Sequence, residues 1–138
     1  MSALPTPAPR PNSETEPFWT AAAHGRLVVP VCDACGHHIW YPRTWCPVCG
    51  GGSVTWTELS GAGTVYACTV IRRGMGPWAA AVPYVVAYVE LAEGPRVLTN
   101  VVTGDPESVH VGMPVRAVFV EVADTEQPQS ILRFTPTG

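Results

Sequence analysis

The chain has 138 residues, 46% of them hydrophobic and 14% charged, with a formal net charge of −3 and a pI of about 5.7. That is one domain's length of chain, with enough apolar residues for one core. All eight basic residues are arginine and they are scattered, so the basic stripe of a nucleic-acid binder is missing, and no apolar run is long enough to span a membrane.

Residues 1–12 carry Pro5, Pro7, Pro9 and Pro11 and few apolar anchors, which predicts a disordered arm. The start shows no charged-then-apolar leader pattern, so the expected compartment is the cytoplasm. Residues 13–25 are expected to hold a helix. Ser13 and Glu16 fit a capping box, Pro17 falls in the first turn, and Gly25 is a natural stop. Phe18 and Trp19 are adjacent and cannot share one narrow face. One packs on this domain, and the other caps it or docks on a partner.

Residues 26–60 are organised around two Cys-x-x-Cys-Gly turns, Cys32/Cys35/Gly36 and Cys46/Cys49/Gly50. Each turn aims two sulfurs at one point, and two such turns facing each other make a tetrahedral four-sulfur site that suits Zn²⁺. Paired spacing favours a metal over disulfides, and two motifs rather than one argue against a thioredoxin-like redox site. Iron uses the same four thiolates, and spacing does not separate it from zinc. With four protein ligands the metal has no open position, so its expected role is structural. His37 and His38 are then surface residues beside the site. Arg26–Val31, Ile39–Pro42 and Val54–Leu59 read as the ribbon's strands. Trp40, Tyr41, Trp45 and Trp56 crowd a segment with little interior to hold them, which predicts an exposed patch that touches a partner.

Residues 61–138 change character. Gly61-Ala62-Gly63 reads as a hinge, followed by strands Thr64–Ile71, Tyr84–Leu91, Arg96–Val102, Val115–Val122 and Ile131–Phe134. A single helical turn at Asp105–Ser108 separates the third strand from the fourth, which is the pattern of a five-stranded OB-fold barrel. Cys68, inside the first strand, reads as a small buried hydrophobe. The fold expected is therefore mainly β: an N-terminal helix, a rubredoxin-like zinc ribbon and an OB barrel. Between the first two barrel strands, Arg72 and Arg73 precede Met75, Trp78 and small apolar residues. Arginines beside an apolar stretch suit a phosphate head with a greasy tail, such as an acyl-CoA. The alternative is a solvated strand end with Trp78 closing the barrel. The sequence shows no Gly-x-Ser-x-Gly elbow, phosphate loop or His-Glu-x-x-His, and His24, His37, His38 and His110 have no evident nucleophile or carboxylate partner. A non-catalytic chain is the simplest reading.

The ordered set Phe18-Trp19, Gly25-Arg26-Leu27, the two Cys-x-x-Cys-Gly turns, Pro42-Arg43, Gly61-x-Gly63-Thr64-Val65-Tyr66, Pro83-Tyr84-Val85-Val86 and Gly112-Met113-Pro114-Val115 resembles the zinc-ribbon/OB-fold, acyl-CoA-associated family, formerly a domain-of-unknown-function family. The resemblance implies an accessory subunit or domain that sits beside thiolase-like enzymes or MaoC-like enoyl-CoA hydratases and helps form the CoA-thioester channel. One branch pairs with a thiolase-like aldolase that shortens the side chain of a β-hydroxyacyl-CoA steroid. A stand-alone acyl-CoA carrier and a nucleic-acid-binding OB module are the alternatives from other classes.

Overall fold

The computed structural model describes residues 4–123 and 125–137. A short helix, α1 (Glu16–Ala22), precedes a two-stranded antiparallel ribbon of β1 (Val28–Cys32) and β2 (Val54–Glu58), registered Val28 to Glu58 through Cys32 to Val54. Five strands then close a barrel: β3 (Ala62–Ile71), β4 (Tyr84–Leu91), β5 (Arg96–Val101), β6 (Pro114–Glu121) and β7 (Ser130–Pro136). Around the barrel they run β3-β4-β5-β7-β6, and β6 pairs back onto β3. Closure leaves no long free edge. The expected helical turn is one 3₁₀ turn at Pro106–Ser108 between β5 and β6.

Alternation explains the strands. In β4, Val85, Ala87, Val89 and Leu91 are buried while the residues between them face out, and β5 does the same with Val97, Thr99 and Val101. These side chains, with Val65, Val115, Leu132 and Phe134, form a core that continues without a break into Phe18, Leu27, Val29 and Leu59. The helix and the ribbon's inner face are therefore sealed onto the barrel. A second, small cluster of Cys32, Ile39 and Cys46, with Val54 against it, sits at the tip of the ribbon.

Four local expectations are corrected. The capping box does not form. Asn12 Oδ1 accepts from the Glu14 and Thr15 amides, Thr15 becomes the N-cap with its Oγ1 accepting from the Asn12 amide and not from the helix, and the helix starts at Glu16. Glu14 instead accepts from the amide and hydroxyl of Thr44, tying the helix start to the ribbon. Gly61–Gly63 is no hinge. Ala62 and Gly63 belong to β3, where a Cβ on Gly63 would stand 2.6 Å from Val89 Cγ1. Ile39–Pro42 is no strand, because its neighbourhood pairs only through an isolated Val31–His38 bridge. The arm expected to be disordered runs along the barrel over its described residues, 4–12; the first three residues lie outside the described residues. Ala123 N–H donates to Thr6 Oγ1 (3.3 Å), Gln129 Nε2 donates to the Pro9 carbonyl (3.2 Å), and Arg133 Nη2 donates to the Pro5 carbonyl.

Candidate metal centre and surrounding surface

The two knuckles repeat one backbone pattern. Gly36 N–H donates to Cys32 O (2.8 Å) and Cys32 N–H to His37 O (2.9 Å); likewise Gly50 N–H donates to Cys46 O (2.9 Å) and Cys46 N–H to Gly51 O (2.9 Å). Both turns need a residue with positive φ, and Gly36 (+75°) and Gly50 (+78°) supply it. Folded this way, the four sulfurs lie within 4.8 Å of one another. Cys32 Sγ stands 3.5 Å from Cys49 Sγ, and Cys35 Sγ 3.5 Å from Cys46 Sγ. A metal with M–S bonds of about 2.3 Å needs a tetrahedral edge of about 3.8 Å, so the cluster is close to metal-ready and is not disulfide-bonded.

Electrostatics agree with this fit. The Cys35 and Ala34 amides, aimed at the Cys32 sulfur, hold that thiol below its ordinary range against the cost of burial. Burial pushes Cys46 up, but the Cys49 and Val48 amides outweigh it and draw it down to about 7. The His37 amide favours a Cys35 thiolate, yet burial and the sulfurs of Cys46, Cys49 and Cys32 push it up to about 12. Four thiolates this close therefore need a cation among them. Around the sulfurs the packing is tight. A Cβ on Gly51 would lie 3.3 Å from both Cys32 Sγ and Cys49 Sγ. Asp33 accepts from Ser53 Oγ and Thr55 Oγ1, each at 2.6 Å, clamping the first knuckle to β2. His37 and His38 are half-buried beside the site and outside the four-sulfur cluster. Cys68 is half-buried in β3, its Sγ 3.8 Å from the Val109 carbonyl.

The aromatic residues divide. Phe18 is 2% exposed, packed edge-on against Trp19 (4.9 Å between centroids) and Trp40 (5.3 Å), so it belongs to the core and not to a docking surface. Trp40 meets Tyr41 at 5.2 Å, making a ladder of rings from the core outward. At its outer end Tyr41 is 45% exposed, and on the second knuckle Trp45 is 67% exposed beside exposed Val48. Trp19 is half-buried and lines a cleft of about 480 Å³ with Pro11, Glu16, His24 and Pro128.

The β3–β4 loop runs from the end of β3 at Ile71 to the start of β4 at Tyr84. Arg72 is ion-paired to Glu107 of the 3₁₀ turn, Arg73 is exposed, and Met75 is 86% exposed. Trp78 leans on Tyr84 at 4.9 Å and is half-buried. None of these four residues lines the cleft beside Trp19. Sequence reasoning missed Arg133, an arginine in β7 that is only 4% exposed. Its signal was there, a charge inside the apolar run Ile131–Phe134. Among the described residues no helix is long and apolar enough to cross a membrane.

A cysteine-ligated ribbon sealed onto a closed five-stranded barrel defines the class: a zinc-ribbon/OB-fold protein. Residues 19–55 match the family described as ChsH2, rubredoxin-like zinc ribbon domain, and residues 56–120 match ChsH2, C-terminal OB-fold domain. The chain is 38% identical over 127 residues to a probable enoyl-CoA hydratase alpha subunit of Thermomonospora curvata, covering 92% of this chain and 39% of that protein. It is 34% identical over 118 residues to the 3-oxo-4,17-pregnadiene-20-carboxyl-CoA hydratase alpha subunit of Mycobacterium tuberculosis, covering 83% and 37%. The chain thus spans about two-fifths of the length of these two relatives. A DUF35 domain-containing scaffold protein of Pyrococcus furiosus is 32% identical over 114 residues, covering 80% of this chain and 83% of that protein. Among solved structures, the Ltp2-ChsH2(DUF35) aldolase matches with a TM-score of 0.81 and 37% identity, covering 94% of this chain and 98% of that one. The chain belongs to the ChsH2 (DUF35) family of zinc-ribbon/OB-fold proteins.

Proposed function

We propose that this chain is a non-catalytic accessory subunit that binds and stabilises a thiolase-fold acyl-CoA enzyme and helps form its CoA-thioester channel. The partner we favour is a retro-aldolase, a carbon–carbon lyase of steroid side-chain breakdown. The observation that carries the reading is the end-to-end likeness to a chain of the Ltp2-ChsH2(DUF35) aldolase, in ribbon and barrel together. The P. furiosus relative, named a scaffold protein, supports a non-catalytic role.

In this reading Cys32, Cys35, Cys46 and Cys49 hold Zn²⁺. Bound there, the metal supplies folding free energy to the ribbon and leaves no position for substrate. Trp19, Trp40, Tyr41 and Trp45 supply docking surface; Tyr41 and Trp45 offer the exposed rings that role requires, with half-buried Trp19 and Trp40 behind them. Arg72, Arg73, Met75 and Trp78 border the channel, where an acyl-CoA is shared with the partner. The complex works in the cytoplasm.

A second reading has its own support: two of the relatives are hydratase alpha subunits, so a MaoC-like enoyl-CoA hydratase is the competing partner. Affinity purification of the chain with gentle washing, followed by mass spectrometry, separates the two. Co-purification of a thiolase-like protein is the expected result; a hydratase alone would move the chemistry to water addition. A chain that stays monomeric and alone would overturn the docking role.

A further inference from the structure

Arg133 is a buried cation with no counter-charge among the described residues. Its strand partner across the β6–β7 ladder is Val118, with Val120 opposite Ile131 on the same outer face, so the guanidinium emerges among aliphatic side chains. Among the described residues the ion pairs are Arg26–Glu58, Arg72–Glu107 and Arg96–Glu90, and none involves Arg133. The other arginines without a carboxylate, Arg10, Arg43, Arg73 and Arg116, are exposed to water. Arg133 alone is covered, and its Nε has no hydrogen-bond partner while Nη2 reaches the neutral Pro5 carbonyl. Burial also disfavours the charged form, with no anion among the described residues to offset it.

The cover is a weak one. Pro5, Pro7, Pro9 and Pro11 have no N–H, so the segment cannot pair as a strand. It is tied down through Thr6 Oγ1 and the carbonyls of Pro5 and Pro9. A desolvated guanidinium wants a carboxylate, in forked geometry if it can get one.

We infer that the outer face of β7 around Arg133 is a docking site for a carboxylate side chain of the partner enzyme, which displaces the Pro5 carbonyl and lifts the N-terminal strap off the barrel. This inference rests on the heteromeric reading above for its occupant, but not for the anion site itself. The strap then serves as a stand-in that keeps the arginine covered until the partner arrives.

Two measurements test it. In the full chain, Thr6→Ala with Gln129→Ala removes two of the three ties while leaving Arg133 in place. Sodium acetate is titrated into wild type and into this double variant, following the Arg133 Nε–Hε resonance by NMR, assigned by its absence in Arg133→Lys. A saturable shift in the loosened chain, with a much smaller one in wild type, is the expected result; no shift in either overturns the anion site. Partner affinity is measured next, with zinc content as the folding control. The double variant binds about fivefold more tightly, since the strap no longer competes, and Arg133→Gln binds at least about tenfold more weakly. If wild type binds but the double variant gains nothing, docking at this face is overturned, whether or not Arg133→Gln folds. If wild type does not bind a partner at all, the heteromeric reading fails instead, and the acetate titration still decides the anion site.

Discussion

At the scale of single residues, the metal centre depends on small distances. A methyl group on Gly51 would press on Cys32 Sγ and Cys49 Sγ at 3.3 Å, whereas one on Gly52 would meet nothing within 4 Å. Gly51→Ala therefore weakens metal binding by about tenfold or more, and Gly52→Ala leaves it unchanged, as read by competition with a chromogenic chelator. Glu93 gives a pH signature. Burial pushes its carboxyl up, but the Ser60 amide and hydroxyl, its own amide and nearby His38 outweigh that and hold it below the usual range. A depressed carboxylate stabilises the fold above its unfolded value and loses that contribution as pH falls through the folded one. The stability gap between wild type and Glu93→Gln should accordingly be full at neutral pH and close below about pH 4, measured by denaturation midpoints across pH. The cysteine quartet was legible in the sequence because a Cys-x-x-Cys-Gly knuckle is a local structure set by a few backbone hydrogen bonds. Arg133 showed in the sequence only as a charge in an apolar run; its burial was not legible, since it comes from a cover more than a hundred residues away in sequence.

At the scale of elements, the helix and ribbon owe their positions to the barrel. Phe18 joins all three, so Phe18→Ala should cost about 3–5 kcal/mol by urea denaturation. Trp45, at the open end of the ribbon, should cost less than about 0.5 kcal/mol when changed to Ala. If the ribbon tip docks the partner, that same Trp45→Ala chain binds it at least about tenfold more weakly by calorimetry. Strand positions were readable because alternating burial in β4 and β5 is written in the sequence as period two. Which of Phe18 and Trp19 turns inward was not, because both lie on one short helix and only the barrel wall beneath it decides. The helix start was misjudged for a related reason: Asn12 takes the Thr15 amide on its Oδ1 and the Glu16 amide on its carbonyl, the amides that Ser13 would have capped.

For the whole molecule, one core runs from Phe18 to Phe134, while the cluster under the metal is only Cys32, Ile39 and Cys46 with Val54 beside it. Chelation should therefore unravel the ribbon tip and spare the barrel. Hydrogen exchange after EDTA is expected to show lost protection at residues 32–54, with β3 to β7 retained; loss of protection throughout would mean that the metal holds the entire fold. The order of helix, ribbon and barrel could be read from cysteines, glycines and strand spacing. The course of residues 4–12 could not, because a proline-rich segment has no local pattern and takes its place from Ala123, Gln129 and Arg133.

The most direct test of the accessory role is acyl-CoA turnover by the pure zinc-loaded chain, by a thiolase-like partner, and by the two together, with a β-hydroxyacyl-CoA steroid as substrate. Retro-aldol cleavage by the mixture, with none by this chain alone, is the predicted result. Turnover by the isolated chain would contradict it.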